Sequence, residues 1–585
     1  MRRPPRPRHE LALLILAAVA AFGGVLVMHD PDMSPEQVHI ASAALKRHQG
    51  DLFPHDPVYG HEHLWRLHTP VFQSLLELAL VPTGYADMSL PFRLLGGAVI
   101  LLYLCSMYAL VQRQCRSWSV SVFVAVLSTT VTYTLGNAFW GVGTLASISP
   151  AGICVGFTPL VVLGFLGGDE PAARRERQWR LVIVFGCIGL LGNLHLATAI
   201  NLTIILLVAH LARRRLRPQS WSTAAACLLA AVVGSLPYWG YFLALRSMAG
   251  EAGAAGYEQA RSALAAADME LLYPELLKQL LDWLIYAAAL LVPALVVLIR
   301  AERFRLRNAS VWVAMTAAGL TLALGVHGLC QLYAWTQDRP PILLFTRSSA
   351  LVMLPLYVLL AQALTNLFRI VRTHRWLVRW VCAAALAAWM APSENLQVAR
   401  HWAYDAATSF VRPADRPARV RELDERKQAR RELAAAGRYI RMHAPTGAVL
   451  VTDQAEMRLL ARRSLVAERS DVGYYYALAP SRLDEWRRRL AAQTAILALP
   501  PRPEEMDRFR RAVASESDAP RDVPWLVLLP ARLHSPEAEP WEVRNDSWGR
   551  FFRVYRIPPE GEDPAPRPVP HEGTARLKPE APRRR

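Results

Sequence analysis

Cysteine is scarce in this chain: seven residues in 585, at positions 105, 115, 154, 187, 227, 330 and 382. All seven lie in or beside apolar runs, and none falls in the polar region after residue 392, so no disulfide framework is implied. No CxxC or Cys/His spacing points to structural zinc, and no HExxH points to a zinc hydrolase. No Gly-rich phosphate loop follows the strand that ends in Thr452-Asp453. Internal repeats are also missing, which counts against transporters built from inverted repeats around a midplane site.

Acidic residues are outnumbered. Lys and Arg total 66 against 48 Asp and Glu, a formal net charge of +18. Such a balance is part of the footprint of nucleic-acid binding. Here, however, the arginines cluster between apolar runs: Arg2 to Arg8, Arg113/Arg116, Arg174 to Arg180, Arg213 to Arg217, Arg300 to Arg307 and Arg369 to Arg379. Short basic loops between apolar segments mark the cytoplasmic side of a membrane protein. Topology therefore accounts for the charge, and no nucleic-acid partner is expected.

What is abundant is apolar sequence, 53% of the chain. Runs such as Leu11–Met28 and Leu95–Val111 approach the roughly 20 residues needed to cross about 30 Å of hydrocarbon. Alternating these runs with the basic clusters gives about eleven crossings with a cytoplasmic N-terminus. The expected spans are 11–28, 92–112, 119–139, 144–167, 181–194, 196–212, 223–245, 282–299, 310–332, 344–367 and 377–391. The first reads as a retained signal anchor, because its apolar stretch is long and no small-residue cleavage site follows His29.

The expected fold class is mainly α: a polytopic membrane helix bundle with a C-terminal extracytoplasmic α/β domain. Residues 1–391 form the membrane part, with a first external loop at 29–90. Residues 392–557 form the soluble domain, and the Pro-, Glu- and Arg-rich 558–585 a disordered tail. In the soluble domain, strands are expected at 448–452, 465–467, 495–499 and 525–529, alternating with helices. An antiparallel edge follows at 541–544 and 551–557. In the first loop, Ser34-Pro35-Glu36 reads as a helix start, with Ser34 as N-cap and Pro35 in the first turn. Its apolar stripe suits a helix lying on the membrane surface, and 69–83 suits a second.

Candidate chemistry gathers at the first loop. His29-Asp30-Pro31-Asp32 follows the first span directly, and Asp56 lies in Asp51-Leu-Phe-Pro-His-Asp-Pro57. Carboxylates at a membrane face suit a general base or a cation ligand; they also suit helix termination and capping. Seven histidines (29, 39, 48, 55, 61, 63 and 68) crowd this loop without ordered metal spacing. No metal site is assigned, and a divalent cation remains an open cofactor. Arg347 opens an apolar helix in Phe-Thr-Arg-Ser-Ser, where it would hold a phosphate with Ser348 or snorkel to the interface. His195 and His327 sit in apolar segments, where a helix–helix hydrogen bond is the economical role. Tyr474-Tyr-Tyr476 reads either as a patch for a partner or membrane, or as ordinary packing.

These pieces together resemble the GT-C class of integral-membrane glycosyltransferases and bacterial membrane proteins of that layout. The resemblance rests on Asp30/Asp32 after the first span, the 34–48 helix, the Gly50–Pro57 stretch and the domain after 392. It implies transfer of a sugar from a polyprenyl-phosphate carrier to an acceptor outside the bacterial inner membrane. Asp30 or Asp32 would be the base, Asp56 a second acidic residue, and Arg347 the phosphate holder with Ser348. The Asp-Glu pair of many members is Asp-Pro-Asp here, and the Trp-Trp-Asp signature of oligosaccharyltransferases is absent. A transporter or flippase, or a non-catalytic assembly protein, would share the architecture without those roles.

Overall fold

The computed structural model describes residues 6–29, 33–68, 70–85, 87–129, 149–167, 174–214, 216–248, 255–267, 292, 307–371, 375–390, 394–412, 415–498, 502–516, 523–533, 542–543, 545 and 547–559. Among these, six helices are long and apolar enough to cross a membrane: Leu90–Cys115, Pro150–Gly167, Leu196–Arg213, Pro218–Met248, Ala309–Thr336 and Ser348–Arg369. Each coincides with an expected span. Shorter apolar helices at His9–Gly24, Trp118–Leu127 and Gln178–Gly192 overlap three more expected spans without the length of the six. Of the expected span at 282–299 only residue 292 is described, and Asp30 and Asp32 lie outside the described residues.

The bundle is held by close backbone contact. A Cβ on Gly189 would lie 2.2 Å from the Ala231 carbonyl oxygen, and one on Gly234 would lie 2.7 Å from that of Gly186. Glycine is required at both because the helices Arg174–Gly192 and Pro218–Met248 touch backbone to backbone, a small-residue crossing typical of membrane helices. Pro237 interrupts the second helix. Beside it, the Asn193 side chain donates to Gly234 O at 2.8 Å and accepts from Tyr238 N–H at 3.0 Å. One amide thus replaces a turn of the helical ladder, which is an identifiable cause of a kink.

The C-terminal part is a three-layer α/β domain. Its five strands are β1 (Val449–Val451), β2 (Ser464–Leu465), β3 (Trp525–Pro530), β4 (Glu542–Val543) and β5 (Phe552–Ile557), in the order β2-β1-β3-β5-β4. β1 pairs in parallel with β2 and β3; β5 and β4 run antiparallel. Side chains alternate across the sheet. Val449, Val451, Val527 and Tyr555 face the helices Leu483–Ala498 and Pro503–Glu516. Leu450, Leu526, Leu528 and Val554 face the helix Ala418–His443. The expected parallel sheet with an antiparallel edge is present, with one correction. Residues 495–498 continue a helix instead of forming a strand. Leu483, Trp486, Leu490, Gln493 and Ile496 are its buried residues at helical spacing, and Ile496 simply ends that stripe.

The helix Pro35–His48 begins as expected, with a capping box between Ser34 and Gln37. It does not lie on a surface. Every residue from Gln37 to Leu45 is buried, because the helix is packed between the C-terminal domain and the rest of the first loop. That loop also covers the open edge of β2. Asp56 accepts from Leu465 N–H at 3.1 Å, and His55 N–H donates to the Ser464 hydroxyl at 3.1 Å. An uncovered strand edge invites pairing with another chain. Gly60 allows the loop to turn this tightly, since a Cβ there would lie 2.6 Å from the carbonyl oxygens of both Asp56 and Pro54.

The contact between loop and domain centres on Arg458. Its guanidinium donates to Asp56 at 2.9 Å and to Asp471 at 3.1 and 3.2 Å, and all three side chains are sealed from solvent. The Tyr59 ring lies beneath it, 4.8 Å from ring centre to guanidinium carbon. Replacing Arg458 by Met would leave two carboxylates buried without their cation, a loss of about 3–5 kcal/mol. Thermal unfolding of the purified R458M protein in detergent, with limited proteolysis between bundle and domain, measures this. Wild-type melting and protection would contradict it.

Candidate functional site

Asp56, expected as a second acidic residue of the site, is 2% exposed. Its carboxylate accepts from Val58 N–H, Tyr59 N–H, Leu465 N–H and Arg458. With its lone pairs committed, it is placed to lock the loop onto the domain.

Next to it lies a trio, His39, Glu468 and Asp471, whose ligating atoms fall within 4.8 Å of one another. That spacing would suit a cation, but the groups already satisfy each other. His39 Nε2 meets Glu468 at 3.0 Å, Nδ1 meets the Tyr59 hydroxyl at 3.0 Å, and Asp471 is engaged by Arg458. Burial alone would raise the Glu468 pKa, but the hydrogen bond and charge of His39 prevail, with Arg458 and Ser470 assisting, and lower it to about 2. Asp471 is raised to about 6 by burial, against the pull of Arg458 and His39. Tyr474 closes the network, with its hydroxyl 3.2 Å from that of Tyr59 and 2.7 Å from His68 Nε2. Tyr474 and Tyr475 are buried and Tyr476 is partly so. Packing is therefore the role of the triple-tyrosine run.

A different cluster has the character of a site. Arg347 ends the segment 337–347, just before the helix Ser348–Ile370. Three contacts fix that segment: Asn201 Nδ2 donates to Leu344 O at 2.9 Å, Asp338 accepts from Tyr257 N–H at 2.8 Å, and the Tyr476 hydroxyl donates to Pro341 O. The Arg347 guanidinium donates to His195 Nε2. His195 is the N-cap of the helix Leu196–Arg213, and its Nδ1 lies 2.8 Å from the Thr198 hydroxyl. The N-terminal ends of two helices therefore meet at Arg347, and their dipoles favour an anion.

Glu36, in the first turn of its helix, completes the cluster. Solvent reaches its side chain, yet protein surrounds it closely enough that burial raises its pKa, while Arg347, His39 and a hydrogen bond to Ser149 pull it down. Arg347 is partly exposed, and burial pushes its pKa down to about 10 against the attraction of Glu36. Burial and the neighbouring Arg347 hold His195 well below the ordinary histidine range, so its ring is neutral. Arg347, Glu36 and His195 are crowded by protein yet reached by solvent, and they bring together a cation, a carboxylate and a neutral imidazole, a set that suits binding an anion beside a proton acceptor.

Among the expected residues, Arg347 stands in this cluster and Asp56 does not. Ser348 borders it, but its hydroxyl is fully buried and turned to the carbonyls of Gly319 (2.9 Å) and Phe345 (2.7 Å). Glu36 was read only as part of a helix start, and nothing in its local sequence distinguishes it from a capping-turn acid. His195 makes a hydrogen bond between helices, as expected: it stands at the N-cap position of one and meets Arg347, the N-cap residue of the other.

No family model matches the sequence, and no curated protein matches it. Among solved structures, the chain is similar to the Archaeoglobus fulgidus oligosaccharyltransferase. The complex of that protein with Zn and sulfate gives a TM-score of 0.46 at 14% identity, covering 91% of this chain and 71% of that one. Its apo form gives 0.44 at 13%, covering 91% and 72%. The archaeal oligosaccharyltransferase AglB from the same organism, in complex with an inhibitory peptide and a dolichol-phosphate, gives 0.38 at 12%, covering 89% and 69%. These are glycosyltransferases of the GT-C type that the sequence resembles. At such scores and identities the likeness carries no activity across, and the Trp-Trp-Asp signature stays absent from this chain.

The trio's ionisation has a consequence for stability. Glu468 titrates at about 2 against an ordinary value of 4.5, so its contribution is complete above pH 4.5 and is lost as the pH falls toward 2. Asp471, raised to about 6 from 3.8, acts in the opposite sense over that higher window. Melting curves of the wild type are expected to fall steeply below pH 4.5, and those of Glu468→Gln to be lower at pH 7 but flatter in acid. Parallel curves would refute the assignment.

Proposed function

We propose that this chain is a membrane glycosyltransferase that takes a sugar from a polyprenyl-phosphate carrier at the external face of the bacterial inner membrane. The observation that carries the reading is the partly exposed cluster at Arg347, where a guanidinium at the start of a membrane span donates to a neutral ring and is attracted by the Glu36 carboxylate. A carrier of this kind needs its apolar tail in the bilayer and its phosphate at the membrane edge. An arginine at the first turn of Ser348–Arg369 meets that requirement.

The reaction assigns each group a task. An acceptor heteroatom attacks the anomeric carbon, the bond from that carbon to the phosphate oxygen breaks, and the carrier phosphate departs with an added negative charge. Arg347 stabilises that charge as it develops, in an enclosed setting where such stabilisation is strongest. The proton lost by the acceptor goes to a first-loop carboxylate. The resemblance assigns that role to Asp30 or Asp32. The sugar, the acceptor and any divalent cation stay unspecified.

Membranes containing the full chain, supplied with labelled polyprenyl-phosphate sugars, test this. Arg347→Ala is expected to lower transfer about 10²-fold or more, the usual cost of removing one such group. Asp30→Asn with Asp32→Asn should abolish transfer while the protein still inserts. Transfer indifferent to all three changes, or none with any carrier-linked sugar, would overturn the proposal.

A further inference from the structure

We infer that His195 is a positioning residue for the anion site, holding Arg347 through a neutral lone pair so that the guanidinium is fixed while its charge stays available to a phosphate. The inference rests on the reading of Arg347 as the phosphate holder.

The argument is one of proton counting. A guanidinium only donates hydrogen bonds, so His195 Nε2, which faces it, must be the acceptor. A neutral imidazole carries one proton, and that proton must then sit on Nδ1. There it has a partner, the Thr198 hydroxyl at 2.8 Å. Thr198 N–H also points at Nδ1, at 3.2 Å, so capping the helix and holding Arg347 compete for the same ring. The guanidinium decides between them, because a proton on Nε2 would set two donors against each other. The Nδ1 tautomer is fixed by these two contacts, and Thr198 sets the plane of the ring.

The choice of residue type then has a reason. Asp or Asn caps a helix better than His does, and Asp would in addition form an ion pair with Arg347. Such a pair would anchor the guanidinium more strongly and at the same time cancel its charge. Histidine gives up some capping strength and adds no carboxylate beside Arg347 to the one that Glu36 already supplies. Asn201, one and a half turns further along the same helix, binds Leu344 O at 2.9 Å. The helix Leu196–Arg213 is thereby tied to both the backbone and the side chain of the 337–347 segment, and His195 supplies the side-chain tie.

The discriminating comparison is His195→Asp against His195→Asn in the full-length protein purified in detergent. The two side chains have the same shape and both cap helices, so a purely structural role predicts equal behaviour. Binding is read by ligand-induced thermal shift with polyprenyl monophosphate, with the matching polyprenol and inorganic phosphate as further arms. The expected result is that Asp melts at or above the Asn variant but binds phosphate about ten- to a hundred-fold more weakly, the worth of one charge-assisted hydrogen bond. The phosphate arm that shows this, lipid or inorganic, identifies the source of the ligand. Equal binding by the two variants, with Arg347→Ala abolishing it, would overturn the role of His195 and leave that of Arg347 standing. A wild type that does not distinguish polyprenyl phosphate from polyprenol would overturn the reading of Arg347, and this inference with it. His195→Glu and His195→Gln repeat the comparison if the shorter pair fails to fold.

Discussion

Arg458 sits between Asp56 and Asp471 with all three side chains sealed from solvent, and most of the arrangement outside the helix bundle depends on that contact. Removing three charges from water is costly, and their mutual attraction repays it only when the geometry is good and the remaining lone pairs find donors. Here they do. Backbone N–H groups of Val58, Tyr59 and Leu465 serve Asp56, and that of Glu468 serves Asp471. The donors come from the first loop and from the C-terminal domain alike. The ion cluster is therefore satisfied only when the two are docked, which makes it a device for specificity as much as for stability.

The cluster at Arg347 depends on this docking. Glu36 begins the same helix that carries His39 into the interface, and Tyr476 reaches from the C-terminal domain to the segment that ends at Arg347. The C-terminal domain contributes no reacting group to the proposed chemistry, yet it holds both loops from which such groups project.

Much of this was legible in the sequence, and the reasons differ from element to element. The membrane helices announce themselves through sustained apolar runs, because hydrocarbon tolerates little else. Ser34-Pro35 fixed a helix start to the residue, since capping is a local matter. Val449, Trp525 and Phe552 open short apolar runs that become strands, whereas Ala495 opens one that prolongs a helix. Periodicity over four or five residues does not separate those outcomes. What could not be read was which polar residues meet. Asp56 looked like chemistry because it is acidic and close to Asp30 and Asp32 in sequence, but its partner lies 402 residues away. Glu36 looked like a cap because its neighbours explain it fully. A local pattern reports what a residue does for its own turn and is silent on long-range encounters.

That separation of 402 residues also has a temporal side. Chains are made at about 5–20 residues per second, so Asp56 emerges roughly 20 to 80 seconds before Arg458 exists to meet it. Throughout that interval the first loop has its covering helix and its tight turn, but neither the strand edge it will cover nor the cation it will bind. A carboxylate that waits in water is stable, whereas the apolar face beside it, including Val38, Ile40 and Leu45, is not. The newborn loop therefore passes through a period of exposed grease, ended only by the arrival of the last domain. The order of synthesis makes the C-terminal domain the finishing piece of the first loop.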